Sequence, residues 1–147
     1  RDLHSFPTRR SSDLLSLRPD RIIVGEVRGK EVADMLQAMN TGHDGSMSTG
    51  HGNSVEGMLR RLEAMYLMSA ELPIDTVRAQ IIEGMDIFVH LGRFQDGKRR
   101  VMEVQELLGF KEGEYIMNPL FILNQNRRLV RTENDLKNTQ KKIRRYE

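Results

Sequence analysis

The sequence predicts an α/β fold, and two observations carry this prediction. First, strand and helix candidates alternate in the order strand, helix, strand, helix, helix, and further strands follow. The first strand candidate, Arg21–Glu26, contains the continuous apolar run Ile22-Ile23-Val24, which is typical of a strand buried on both faces of a parallel sheet. Second, Asp96-Gly97 is a hairpin signal between two later strands. We therefore expect α/β architecture with a partly antiparallel end.

Composition and charge limit the classes of protein to consider. The 147 residues suffice for about one domain of average size. The 23 Lys and Arg against 21 Asp and Glu give a net charge of +2, too balanced for a chain that coats nucleic acid along its whole length. There is no Cys, and no apolar run approaches the roughly 18 residues of a membrane span. Disulfide-rich miniproteins, zinc fingers and membrane-spanning chains are excluded.

Three helices are expected from apolar spacing and from residues that start or end helices. Glu31–Asn40 repeats apolar residues every three or four positions, and Gly42 follows where a left-handed cap would lie. A second helix follows a cap at Asn53 or Ser54, and a third runs from Pro73 to about Gly84. Methionines at helical spacing are predicted to fill the core.

The later part of the chain predicts strands and then a basic tail. Strands are expected at Ile87–Leu91, Arg100–Phe110 and Tyr115–Met117. Residues 124–147 change in composition, with many Lys and Arg and few apolar residues, and are predicted to form an exposed helix or a frayed tail. We therefore place the folded domain at residues 15–123 and the basic tail at 124–147.

Residues 1–14 are predicted not to belong to the natural protein. They show neither a helical nor a strand period and lack the apolar region of a signal peptide. Their sequence is similar to the translation of a widely used sequencing-library adapter. We exclude them from the fold and expect the natural protein to extend further toward its N-terminus.

A candidate site begins where the first strand ends. Gly25-Glu26 would deliver a carboxylate to the carboxyl edge of a parallel sheet, where α/β folds bind ligands. Glu26 could orient or deprotonate a water molecule or contact the hydration shell of Mg²⁺, and Arg28 could hold phosphate charge. The alternative is an ordinary strand end with a solvated Glu and a surface Arg.

The second constellation is Ser48–Ser54, which follows a short strand candidate at Gly45–Thr49. Its polar groups could reach the same edge as Glu26, and His51 could hydrogen-bond a phosphate oxygen. The glycines beside it equally suit an ordinary turn. His43, Asp44 and His51 lack the spacing of a defined metal site, so His43 is predicted to be a loop residue near the site.

Four ordered motifs together resemble the type II/type IV secretion-system ATPases, with the nearest likeness to the Flp/Tad pilus-assembly branch. The resemblance covers about Leu15 to Phe121. The motifs are Leu17–Gly29, Ala38–Ser46, Ser48–Ser54 and Arg61–Met65.

The resemblance implies the C-terminal half of a RecA-like P-loop core in a homo-hexameric ring, which hydrolyses ATP with Mg²⁺. It implies a cytoplasmic motor, peripheral to the inner membrane, that drives a platform protein of a pilus or secretion system. Glu26 matches the Walker B glutamate, which supports Mg²⁺ indirectly, and His51 matches the histidine box; both are predicted to be catalytic. Gly25, Arg28 and Thr49 are predicted to contact the nucleotide.

One departure from the family pattern limits the expected activity. The sequence has no Gly-x-x-x-x-Gly-Lys-Ser/Thr loop, so the phosphate cradle and its lysine are missing. In this family the loop precedes the Walker B strand, and we expect this chain alone to bind ATP weakly and to hydrolyse it negligibly. Two alternatives stay open: a non-enzymatic α/β interaction module, and a nucleic-acid-binding fragment through residues 127–147. We expect no nucleic-acid partner.

Overall fold

The structure is a computed structural model, and it describes residues 19–138. Predictions that fall on residues 1–18 and 139–147 lie outside the described residues. Six strands and three helices follow one another in the described part. In chain order they are β1 (Ile23–Val24), α1 (Glu31–Asn40), β2 (Met47–Ser48), α2 (Val55–Leu67), α3 (Ile74–Gly84), β3 (Ile87–Arg93), β4 (Arg99–Lys111), β5 (Glu114–Leu123) and β6 (Leu129–Arg131).

The strands form two separate sheets. β1 and β2 pair in parallel, with Ile23 opposite Met47 and Val24 opposite Ser48. The other four strands form an antiparallel sheet in the order β3-β4-β5-β6. A parallel beginning and an antiparallel end were both expected, and both are present.

The helices begin and end close to the predicted residues. α1 spans Glu31–Asn40, and Gly42 behind it has a φ of 99°, as a left-handed residue after a helix should. Ser54 caps α2, because its hydroxyl accepts a hydrogen bond from the Gly57 amide at 3.0 Å. Pro73 directly precedes α3, as predicted.

The core lies between the three helices and the antiparallel sheet. Each helix contributes two side chains with no more than 1% exposure, and each such aliphatic residue stabilises the fold by about 1.5–3 kcal/mol. Val27, after β1, and Leu107, on β4, join the same cluster. The helical core residues are Val32, Leu36, Leu59, Leu62, Val77 and Ile81.

The prediction that the first strand is buried on both faces was wrong. Ile23 is 70% exposed, and its β2 partner Met47 is 57% exposed. A strand is buried on both faces only when it lies inside a sheet covered by layers on both sides, and within residues 19–138 this sheet has two strands. The apolar run therefore predicted the strand correctly but not its burial here.

The sequence underestimated the extent of the antiparallel sheet. β5 runs from Glu114 to Leu123, well beyond the expected Tyr115–Met117 strand. Proline lacks an amide donor, so Pro119 argues against a strand at this position. In the structure Pro119 pairs with Gln105, next to a shift in the strand register between Val104 and Gln105. The start of the predicted tail also differs, because Leu129–Arg131 forms β6 rather than helix or frayed chain.

Candidate functional site

Parallel pairing of β1 and β2 brings the two candidate motifs together. The ladder continues past both strands: the Val27 amide donates to the Thr49 carbonyl at 2.9 Å, and the Thr49 hydroxyl donates to the Gly25 carbonyl. Glu26 lies between these two bonds on one strand end, and the His51 loop follows Thr49 on the other. The local backbone pairing therefore sets Glu26 opposite His51.

The two oxygens of Glu26 have different surroundings. Oε2 accepts a hydrogen bond from Nε of Arg28 at 2.7 Å and lies 2.5 Å from its Nη2. Oε1 lies 2.7 Å from Nε2 of His51, but this contact lacks hydrogen-bond geometry. Within residues 19–138, Oε1 is shielded from solvent and accepts no hydrogen bond. One oxygen is therefore held, and the other has capacity to accept a hydrogen bond.

Neighbouring cations set the charge state of this carboxyl group. The hydrogen bond from Arg28 lowers the pKa of Glu26 below its ordinary value, partial burial opposes this, and Arg28, His51 and Arg61 add electrostatic attraction. Glu26 is therefore ionised at neutral pH. A lowered pKa also makes the carboxylate a weaker base, which favours orienting a water molecule over removing its proton completely.

Lack of space explains the glycines on both sides of His51. A Cβ on Gly50 would clash with the end of the Met58 side chain. A Cβ on Gly52 would lie 3.1 Å from Cβ of Met58 and 3.2 Å from the Ser54 carbonyl oxygen. Neither glycine adopts a positive φ, so the loop needs glycine for its close approach to α2 rather than for an unusual backbone conformation.

The sequence singled out Arg61 only as the first residue of the fourth motif of the resemblance, Arg61–Met65. In the structure its Nη1 donates to the His51 carbonyl oxygen at 3.2 Å. Arg61 comes seven positions, about two helical turns, after the cap Ser54, so both lie on the same side of α2. That spacing was the signal available in the sequence.

A cleft of about 1230 Å³ lies beside these residues. β1 and β2 line one part of its wall and β3 lines another; Gly25, Thr49 and His51 contribute to it. His43 also lines the cleft, and its Nδ1 lies 3.0 Å from the Ala38 carbonyl oxygen. Across residues 19–138, no group of three or more His, Cys, Asp or Glu side chains could hold a metal ion.

The comparison with known families identifies the chain. A family model described as "Type II/IV secretion system protein" matches residues 10–146. The chain belongs to this family. The type II/IV secretion ATPase resemblance is thereby confirmed, whereas the Flp/Tad branch stays a prediction.

Individual members of the family give the same result. The conjugal transfer protein TrbB of Rhizobium radiobacter is 40% identical over 117 residues, which cover 77% of this chain and 35% of that protein. The type IV secretion system protein PtlH of Bordetella pertussis is 38% identical over 95 residues, which cover 61% of this chain and 28% of that protein. The chain thus spans about a third of the length of these relatives.

A solved structure confirms the α/β fold class. The VirB11 ATPase of the Brucella suis type IV secretion system, solved in complex with sulphate, superposes with a TM-score of 0.60. Its sequence is 31% identical, and the match covers 64% of this chain and 30% of VirB11. The chain therefore has an α/β fold similar to part of this ATPase. In the described range, no helix has the length and apolar character needed to cross a membrane.

Proposed function

We propose that this chain is the C-terminal part of an ATP-hydrolysing motor for pilus assembly or type II/IV secretion. The observation that carries the proposal is the contact between Glu26 and His51, in which Oε1 of Glu26 retains a free acceptor position. Family membership supports the nucleotide chemistry. In the whole protein, Glu26 is the Walker B glutamate and His51 is the histidine-box residue.

The proposed roles follow from the position of each group. Oε1 of Glu26 accepts a hydrogen bond from a water molecule and orients it toward the terminal phosphate. Its unsatisfied, shielded oxygen fits this role and also fits an indirect contact with the hydration shell of Mg²⁺. Bound Mg²⁺ would neutralise charge that develops on the phosphate oxygens.

The other predicted site residues flank this carboxylate. Arg28 holds Oε2 and so fixes the direction of Oε1. His51 lies beside Oε1 and lines the cleft, where its imidazole can contact a phosphate oxygen. Gly25 and Thr49 line the same cleft, and the Thr49 hydroxyl donates a hydrogen bond to the Gly25 carbonyl oxygen. We assign both residues to the wall of the cleft that contacts the nucleotide.

The remaining parts of the motor belong to the longer protein. The phosphate-binding loop, absent from this sequence, is proposed to lie N-terminal to residue 15. We propose a homo-hexamer of the Flp/Tad type, located in the cytoplasm at the inner membrane and acting on a platform protein there. This chain alone is expected to hydrolyse ATP negligibly.

The test is ATP hydrolysis by the longer protein with and without the Glu26→Gln substitution. Glutamine keeps the shape but loses the charge, so we expect turnover to fall about 100-fold or more while nucleotide binding persists. Glu56→Gln is the control, since Glu56 pairs with Arg60 on the exposed side of α2. Turnover that survives Glu26→Gln would overturn the assignment.

His51 is tested separately from folding. His51→Ala should lower turnover while the thermal midpoint changes little, because the His51 side chain is 80% exposed. If His51→Ala lowered the thermal midpoint together with turnover, His51 would be an ordinary turn residue that stabilises the fold.

A further inference from the structure

We propose that Arg61 is a positioning residue that holds the His51 loop against Glu26. The contact is a hydrogen bond from Nη1 of Arg61 to the His51 carbonyl oxygen, with a distance of 3.2 Å. The importance of this contact for turnover rests on the proposed function; the contact itself does not.

Arg61 is mounted on a rigid support. α2 is anchored by Leu59 and Leu62, which are 0% and 1% exposed, and its first turn is fixed by the Ser54 cap. The guanidinium therefore projects from a helix whose position is set by the core. A group on such a support can fix a loop, because the helix does not move with the loop.

The His51 loop has little else to hold it at its centre. The His51 side chain is 80% exposed, and its contact with Glu26 lacks hydrogen-bond geometry. Gly50 and Gly52 have no side chains with which to anchor it, although both approach Met58. Within the described residues, Arg61 donates a hydrogen bond to the backbone of His51 itself, at the centre of the loop.

Charge strengthens the same arrangement. Arg61 forms no ion pair within the described residues, and its charge helps lower the pKa of Glu26. Arg60 differs: it pairs with Glu56 at 2.9 Å, and among the described residues no hydrogen bond joins it to the His51 loop. Arg61 and Arg60 are adjacent on α2, and only Arg61 is hydrogen-bonded to the His51 loop within the described residues, so variants of the two can be compared directly.

The first experiment observes the contact directly. The longer protein is labelled with ¹³C at the histidine carbonyls, and NMR spectra are recorded for the wild type, Arg61→Gln, Arg61→Lys and Arg60→Gln. A carbonyl that accepts a hydrogen bond from a guanidinium is deshielded, so the His51 signal should move upfield in Arg61→Gln. It should move less in Arg61→Lys, which keeps a charged donor, and should not move in Arg60→Gln.

The second experiment separates positioning from binding by measuring ATPase kinetics on the same proteins. Arg61→Gln should lower kcat about tenfold, in line with loss of one charge-assisted hydrogen bond, and leave KM for ATP within about twofold. Arg61→Lys should recover part of kcat, and Arg60→Gln should match the wild type. Thermal midpoints check that the variants are folded.

The outcomes separate this inference from the proposed function. An unmoved His51 signal in Arg61→Gln would overturn the positioning role whatever the ATPase result. A kcat as high as that of Arg60→Gln would overturn its importance for turnover. If the wild-type longer protein had no ATPase activity, the proposed function would be wrong. The NMR result would still decide whether Arg61 holds the loop.

Discussion

Two nitrogens of Arg28 contact the same carboxylate oxygen of Glu26. The two residues are close in the chain, with one residue between them. Nε donates to Oε2 at 2.7 Å, and Nη2 lies 2.5 Å from the same oxygen. The pair fixes the carboxylate so that Oε1 faces the His51 loop. Arg28 thus acts on both the direction and the charge of Glu26.

Arg28→Gln should raise the pKa of Glu26, because the hydrogen bond from Arg28 is the largest cause that lowers it. Carboxyl ¹³C NMR titration measures this change, and Arg28→Lys should give an intermediate pKa. Arg60→Gln is the control. An unchanged Glu26 pKa in Arg28→Gln would show that the ion pair does not persist in solution.

The same pair predicts the sign of a pH effect on stability. A carboxyl group with a lowered pKa in the folded state stabilises the fold above its unfolded pKa, about 4.3 for Glu, and loses that contribution as pH falls through the folded value. Wild-type stability should therefore fall more steeply than that of Arg28→Gln below about pH 4.3. Denaturant titrations at several pH values measure this difference.

The two glycines beside His51 should tolerate alanine unequally. At Gly52 the added Cβ meets Cβ of Met58 and a backbone carbonyl, neither of which can move freely, so Gly52→Ala should destabilise by about 1–3 kcal/mol. At Gly50 it meets the flexible end of Met58, and a rotamer change can relieve most of the strain. Chemical denaturation ranks the two variants, and equal losses would contradict the packing explanation.

The helices could be predicted from the sequence because their signals are local. Ser54, Pro73 and the apolar spacing in Glu31–Asn40 each act within one or two turns of chain, and all three predictions are confirmed. The juxtaposition of Glu26 with His51 followed from a rule of topology, because both residues come shortly after strands that pair in parallel and the carboxyl ends of such strands meet at one edge of the sheet.

Other features depended on contacts between distant residues, which spacing does not reveal. The exposure of Ile23 depends on which strands stand beside β1, and the length of β5 depends on how β4 accommodates Pro119. Glu106 is the clearest example. A glutamate in a sequence predicts a solvent-exposed side chain, but Glu106 is 1% exposed.

Glu106 owes its burial to a segment that returns across the antiparallel sheet. Its carboxylate accepts hydrogen bonds from the backbone amides of Lys137, at 2.9 and 3.1 Å, and Asn138, at 2.7 Å. Asn118 on β5 donates to it at 2.8 Å and also to the Asp135 carbonyl at 2.9 Å. One buried carboxylate therefore fastens residues 135–138 to β4 and β5.

Glu106→Gln should destabilise the fold by about 2–4 kcal/mol, because an uncharged amide would replace a buried carboxylate that accepts hydrogen bonds from two backbone amides. Glu103→Gln on the same strand is the control, since its side chain is 24% exposed and its partners are the side chains of His90, at 3.1 Å, and Gln105, at 2.6 Å, rather than backbone amides. Urea denaturation measures both losses, and amide exchange at Lys137 and Asn138 should accelerate only in Glu106→Gln. If the two variants lost the same stability, Glu106 would not be the residue that fastens this segment.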